Sequence, residues 1–209
     1  MAESLVPLVS YATARPLLRS GDLLLCQGST TFARLIQHAT DSLWSHVACL
    51  IRMDTLERIL VLESVESIGC RAVPLSHYVE NYAGTGQGYP GRVFIGRHDA
   101  FLEDMQPMAY RLFAQRAVDL LGVAYDNQAI LRIAARVVAA KLGFHPTPLA
   151  HDTALICSEF VYEIYQAFGI LVPYGSGGYI APKDWAEATD VTLLWEIVTQ
   201  GSAREIPCG

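Results

Sequence analysis

The stretch LICSEFVYEIYQAF, Leu155 to Phe168, decides how the rest of the chain is read. After Cys157, apolar residues fall at Phe160, Val161, Ile164 and Phe168, a spacing that builds one face of an amphipathic helix, and Gly169 is placed to stop it. Cys157 then belongs to the first turn, on the inward face. In one reading it is a small packing residue, because free cysteine is among the most often buried residue types. In the other, the partial positive charge and unpaired N–H groups of a helix N-terminus stabilise a thiolate and can hold an oxyanion. That second reading needs a base and a group to orient it.

The whole chain sets the frame. Its 209 residues are enough for one domain, 1–209, with a substantial core, and 52% hydrophobic against 17% charged residues describes a globular protein. A formal charge of -6, with no cluster of Lys and Arg, argues against a nucleic-acid partner. The cysteines, Cys26, Cys49, Cys70, Cys157 and Cys208, are odd in number and include no C-x-x-C pair, so neither a metal site nor a cofactor is expected, and reduced thiols in a cytoplasmic protein fit best. The N-terminal segment lacks a basic region before its apolar run, and no uninterrupted apolar stretch is long enough to predict a transmembrane segment.

Upstream of Cys157 the pattern is strand-rich. DLLLCQG, from Asp22, reads as a strand, and TTFARLIQHAT after it has helical spacing through Phe32, Leu35, Ile36 and Ala39. SHVACLIR (Ser45 to Arg52) and RILVLESV (Arg58 to Val65) then form a β-hairpin signal. If the loop closes on Asp54 and Thr55, His46 falls directly opposite Glu63 on one face of the sheet. His46 alone is explained by water at a strand start, but a carboxylate inside ILVLESV is costly to bury without a partner. An imidazole across the hairpin would be that partner. His38, His77, His98, His145 and His151 have no comparable setting, although His151, six residues before Cys157, can approach the same site.

Two other motifs fail on context. Gly86, Gly88 and Gly91 match G-x-G-x-x-G, but Pro90 lies inside and a strand, Arg92 to Arg97, follows. YGSGGY lacks the glycine two residues before Ser176 that a nucleophile elbow requires. Between these, GCRAVPLSHYVENY reads as a strand end and a short helix, and Pro107 opens a helix that Gly122 ends. Asp126 or Asn127 can cap a further helix, Gln128 to Lys141, whose apolar face carries Ile130, Ile133, Ala134, Val137 and Val138 while Arg132, Arg136 and Lys141 lie on the polar side. It is read as a packed helix, with lipid contact as the other option.

Taken in order, GDLLLCQG, WSHVACLI, VLES with VPLSHYV, GVAYD, ICSEFVYEIY and IAPKDW resemble the YiiX/YebB-like branch of the NlpC-type cysteine hydrolases, from about Gly21 to about Glu187. The resemblance implies an α+β, circularly permuted papain-like fold, with an antiparallel sheet packed against helices. In it the histidine and its orienting residue precede the cysteine, the order in which His46, Glu63 and Cys157 occur. By the same resemblance Cys157 is the nucleophile, His46 the base, Glu63 the orienter, and Tyr125 of GVAYD the tyrosine that lines the oxyanion region. Ile156 departs from the aromatic residue that relatives often carry before C-S-E. The implied activity is hydrolysis of amide bonds, peptide or N-acyl, through a thioester. If an alcohol or amine replaces water, the chain is an acyltransferase or lipid esterase on acyl-lipid substrates, as in the related lecithin retinol acyltransferase group; a binding module without catalysis is the third reading.

Overall fold

The computed structural model describes residues 6–126, 156–172 and 179–200. The helix expected over Gln128 to Lys141, His145, His151, Ser176 and Cys208 lie outside the described residues. In chain order the elements are β1 (Leu8–Val9), α1 (Tyr11–Ala14), β2 (Asp22–Gly28), α2 (Thr31–Thr40), β3 (His46–Met53), β4 (Arg58–Val65), β5 (Gly69–Pro74), α3 (Leu75–Glu80), β6 (Gly91–His98), α4 (Pro107–Asp119), α5 (Cys157–Gln166), α6 (Pro182–Ala186) and β7 (Val191–Ile197). One seven-stranded sheet runs β1-β7-β6-β2-β3-β4-β5. Every neighbouring pair is antiparallel except β1–β7, which is parallel. The architecture is thus mixed α+β.

The sheet is covered on both faces, which explains why its central strands read as nearly unbroken apolar runs. Along β2 and β3, Leu23, Leu25, Val47, Cys49 and Ile51 join one core cluster, and Leu24, Cys26, Ala48 and Leu50 join another. The first is closed by Phe113 of α4, by Phe160, Val161 and Ile164 of α5, and by Trp185 of α6; the second by Leu75 and Tyr78 of α3. Because strand side chains alternate, adjacent residues serve opposite cores. The apolar face read from LICSEFVYEIYQAF is the face α5 buries, with Phe160, Val161 and Ile164 at 0% exposure. Ile164→Ala would cost about 2–5 kcal/mol, the range for emptying a buried aliphatic site.

Three details depart from the sequence reading. The inward face of α2 is Ala33, Ile36 and Thr40, while Leu35 points to solvent. The strands β1 and β7 have no counterpart in the sequence reading. The β3–β4 loop does not close on Asp54 and Thr55: Met53 pairs with Arg58 and Cys49 with Leu62, so Asp54 to Glu57 all belong to the loop. A two-residue hairpin turn of the favoured type needs positive φ at both central positions, for which Asp-Thr is poorly suited. The chain instead makes a 3-10 turn at Asp54–Leu56 and reverses at Glu57, with φ of 49°. The register therefore differs by two residues from the expected one. Since the side-chain period is two, His46 and Glu63 keep the same face but become diagonal neighbours.

Among the described residues no helix is long and apolar enough to cross a membrane.

Candidate functional site

His46 is the first residue of β3, and its position is set by Ser45 just before it. The Ser45 N–H donates to the Cys26 carbonyl at 2.9 Å, and its Oγ accepts from the Gly28 N–H at 2.8 Å, so the β2–β3 ladder is locked at the point where His46 emerges. Gly28 is required by packing: a Cβ there would come within 2.5 Å of the Tyr89 hydroxyl and 2.8 Å of Ala33. The imidazole reaches diagonally across the hairpin, and its Nε2 lies 2.8 Å from Glu63 Oε2.

Glu63 is completely buried, and three side chains compensate its carboxylate. Besides His46 on Oε2, the Tyr78 hydroxyl from α3 donates to the same oxygen, and the Arg71 guanidinium donates to Oε1 from Nε at 2.9 Å, with a second nitrogen at 2.8 Å. Arg71 stands directly opposite Glu63 on β5. Burial works against the charged form, but the hydrogen bond and charge of His46, then Arg71 and Tyr78, hold the Glu63 carboxyl below its ordinary range.

Arg71 and Tyr78 were not picked out from the sequence as site residues. The signal was available in part: an acid inside an apolar strand calls for a cation, and GCRAV supplies an arginine eight residues on.

Cys157 arrives from the other face of the sheet as the first residue of α5, 3% exposed. The orientation of α5 rests on ties that explain the downstream IAPKDW motif. Ser158 Oγ donates to the Ile180 carbonyl at 2.7 Å, and Trp185 Nε1 donates to the Ser158 carbonyl at 3.3 Å. Asp184 in turn accepts from the Ala181 N–H at 2.7 Å, capping α6. Glu159, in the first turn of α5, accepts from the Ile156 N–H at 3.2 Å. The helix N-terminus is thereby anchored on two sides of the cysteine.

At this end of the sheet Cys157 and His46 line one cavity, and Cys157 is among the groups that act on the imidazole. With Nε2 held by Glu63, Nδ1 is the ring nitrogen left unengaged by that acid. Burial lowers the basicity of His46, but its interactions with Cys157 and with the Glu63 carboxylate outweigh it and raise the imidazole from 6.5 to about 10. The protonated ring is the form that this setting favours.

Tyr125 reaches the same place by a backbone route. The Cys70 N–H donates to the Val123 carbonyl at 2.8 Å and the Gly122 N–H to the Cys70 carbonyl at 2.9 Å, so GVAYD is laid against the start of β5. Gly69, at φ of 89°, permits this, since a Cβ would lie 2.3 Å from the Val123 oxygen. Burial, followed by electrostatic interaction with Cys157 and with the acids Glu66, Glu159 and Asp126, pushes the Tyr125 phenol up, keeping it a hydroxyl donor. His46, Cys157, Tyr125, Arg71 and Ser45 all line one cavity of about 230 Å³. The other cysteine nearby, Cys26, is wholly buried, and burial pushes its thiol well up; it is not a competing nucleophile.

No protein-family model matches the chain, and no curated protein does so significantly. Among solved structures it is similar to the metalloprotein YiiX from Escherichia coli O157:H7, with a TM-score of 0.58 and 20% identity over 90% of this chain and 98% of that one. The word metalloprotein describes YiiX. Among the described residues of this chain no group of three or more His, Cys, Asp or Glu is arranged to hold a metal ion, and the Glu63 oxygens are already taken by Arg71, Tyr78 and His46. With both oxygens so engaged, Glu63 is not placed to ligate a metal. What chain trace and topology share over nine-tenths of the sequence is the fold: this chain has the YiiX-like fold.

Proposed function

We propose that the chain is a cysteine-dependent hydrolase of amide bonds, peptide or N-acyl, built on a circularly permuted papain-like arrangement. The single observation that carries the reading is the His46 ring bonded to a buried Glu63 carboxylate that is itself fully bonded, on a cavity that Cys157 also lines. A purely structural histidine would not need a buried acid with two further donors behind it.

In the proposed reaction Cys157 attacks the carbonyl as thiolate, forming the S–C bond, while His46 carries the proton. The carbonyl oxygen becomes an oxyanion that the Cys157 N–H and the Tyr125 hydroxyl stabilise. Collapse breaks the bond to the leaving nitrogen, which takes the proton from His46. Water then adds to the thioester, giving a proton to His46, and the acid departs as the S–C bond breaks and Cys157 is regenerated. Glu63 keeps Nε2 of His46 protonated and supports the imidazolium, as the third member of a triad does. Cys26, Cys49, Cys70 and Cys157, all buried and unpaired, fit a reducing compartment, and a cytoplasmic location belongs to the proposal.

The test is iodoacetamide alkylation of Cys157 as a function of pH, followed by peptide mapping, in the wild type and in His46→Ala. Rapid modification well below pH 8 that the mutant loses is the expected result. Modification of Cys157 no faster than that of Cys26, and indifferent to His46, would overturn the reading in favour of a binding module. Acyl transfer shares the thioester and differs only in the acceptor, so product partitioning between water and an added amine or alcohol separates the two.

A further inference from the structure

Cys157 lies at the junction of two cavities of different size. The larger, of about 230 Å³, is lined by His46 and Arg71 among serines, tyrosines and the apolar Phe32, Val65 and Ile68. The smaller, of about 20 Å³, shares Cys157 and Ile36 with it but not His46, and lies between α2 and the segment leading into α6. Its walls are Ile36, Ala39, Ile156, Tyr179, Ala181 and Pro182. Ile36, Ile156, Tyr179 and Ala181, together with Tyr125, form an apolar cluster separate from both cores of the sheet, so this surface is not simply an extension of the packing that holds α5 down.

The chemistry assigns the two sides, given the reading of Cys157 as a nucleophile, on which this inference rests. When the tetrahedral intermediate collapses, the bond to the leaving group breaks and that group takes the proton from His46. It must therefore stand on the His46 side, in the larger cavity. The acyl group stays bonded to sulfur and points to the other side of Cys157. We infer that the small apolar cavity is an acyl-side specificity pocket and that it takes a short aliphatic group. A single water requires about 10–15 Å³ by the same measure, so the space suits a methyl- to ethyl-sized group and excludes long acyl chains.

The experiment is the hydrolysis of p-nitrophenyl esters from acetate to octanoate, read as kcat/KM, with mass detection of the acyl adduct on Cys157 after rapid quenching. The wild type is expected to lose about tenfold or more in kcat/KM between the shortest and the longest chain, within the range that a hydrophobic pocket enforces per mismatched group. Tyr179→Ala opens a wall of the small cavity alone and is expected to raise the octanoate-to-acetate ratio about fivefold or more, and Ala39→Leu, at a half-buried position that leaves the fold intact, is expected to lower the propionate-to-acetate ratio. A flat chain-length profile, or ratios that neither variant changes, with the Cys157 adduct present, would overturn the pocket and leave the hydrolase reading standing. No adduct on Cys157 with any ester would overturn the hydrolase reading and the pocket with it.

Discussion

Two carboxylates, Asp22 and Glu63, are buried to 0% exposure in the same sheet, and each faces an arginine on the neighbouring strand. Asp22 opens β2 and meets Arg97 of β6 through two hydrogen bonds, at 2.6 and 2.8 Å, while its Oδ2 also accepts from the Arg19 N–H at 2.8 Å. Every partner there is a permanent cation or a backbone group. Glu63 has Arg71 and Tyr78 but gives the remaining direction of Oε2 to an imidazole, a group that titrates, and that imidazole lines the same cavity as Cys157. The shifts go opposite ways: burial dominates at Asp22 and raises its carboxyl despite Arg97, whereas at Glu63 the histidine, Arg71 and Tyr78 overcome burial. A buried acid closed off by arginine and backbone serves the fold. One that shares an oxygen with a histidine whose cavity also holds a cysteine is the arrangement on which the proposed reaction rests.

The largest expected effect breaks the comparison at its functional end. Glu63→Gln should lower kcat/KM by about 10³–10⁴, the order lost when the acid of a triad becomes an amide and the histidine tautomer is no longer held. Asp22→Asn should leave kcat/KM within about twofold, because nothing it touches approaches the cysteine; a comparable loss in both variants would erase the distinction. The order reverses for folding. Asp22→Asn leaves Arg97, 11% exposed at its side chain, without its ionic partner and should cost about 3–5 kcal/mol in urea unfolding. A cost below about 1 kcal/mol would mean water already solvates that pair.

A smaller change sharpens the picture. Tyr78→Phe deletes one hydrogen bond to a charged oxygen and keeps the ring packed against Tyr82 and Tyr89 at centroid separations of 5.1 and 5.5 Å. About 1.5–3 kcal/mol of stability should go with it, the usual worth of a bond to a charged group. If Tyr78 acts through Glu63, the pH dependence of Cys157 alkylation should also shift in Tyr78→Phe, and should not shift in Asp22→Asn.

The smallest effects are in the pH dependence of stability, where the two ends have opposite signs. Glu63, lowered in the folded state, contributes stability that is present above about 4.5 and is lost as pH falls through its folded value. Asp22, raised in the folded state, does the reverse: folding loses stability as pH rises from about 3.8 through its folded value. His46, raised, contributes stability that is complete below about 6.5 and is lost as pH climbs through about 10. Thermal unfolding followed across pH should show a softened acid limb in Glu63→Gln, a steeper one in Asp22→Asn, and a flattened alkaline limb in His46→Ala. An unchanged alkaline limb in His46→Ala would show that the histidine carries no extra proton in the folded protein.

How much of this was legible depends on the range of the interaction. The strands β2, β3 and β4 were readable because apolar runs of four or five residues buried on both faces leave little else for DLLLCQG, HVACLIRM and RILVLESV to be. The shared face of His46 and Glu63 survived an error of two in the register, because face depends only on parity. The register itself was not legible, since it turned on the positive φ of Glu57, which side-chain pattern does not encode. Arg71 fell opposite Glu63 only because the β4–β5 turn brings Val65 against Gly69. The position of Tyr125 depended on two backbone hydrogen bonds to Cys70.

By itself, then, the sequence determined which residues form the central strands, that a cysteine heads an amphipathic helix, and that a buried acid in β4 requires a partner. These follow from periodicity and from the cost of burying charge, which act over a few residues. Only the tertiary structure decided that Arg71 and Tyr78 share that acid with His46, and that Cys157, arriving from the opposite face of the sheet, lines the same cavity as that ring. The site thus joins residues up to 111 positions apart in the chain, Cys157 and His46. They exist because α5 packs against β3 with its N-terminus at the point where His46 emerges, a consequence of two complementary surfaces that no local pattern records.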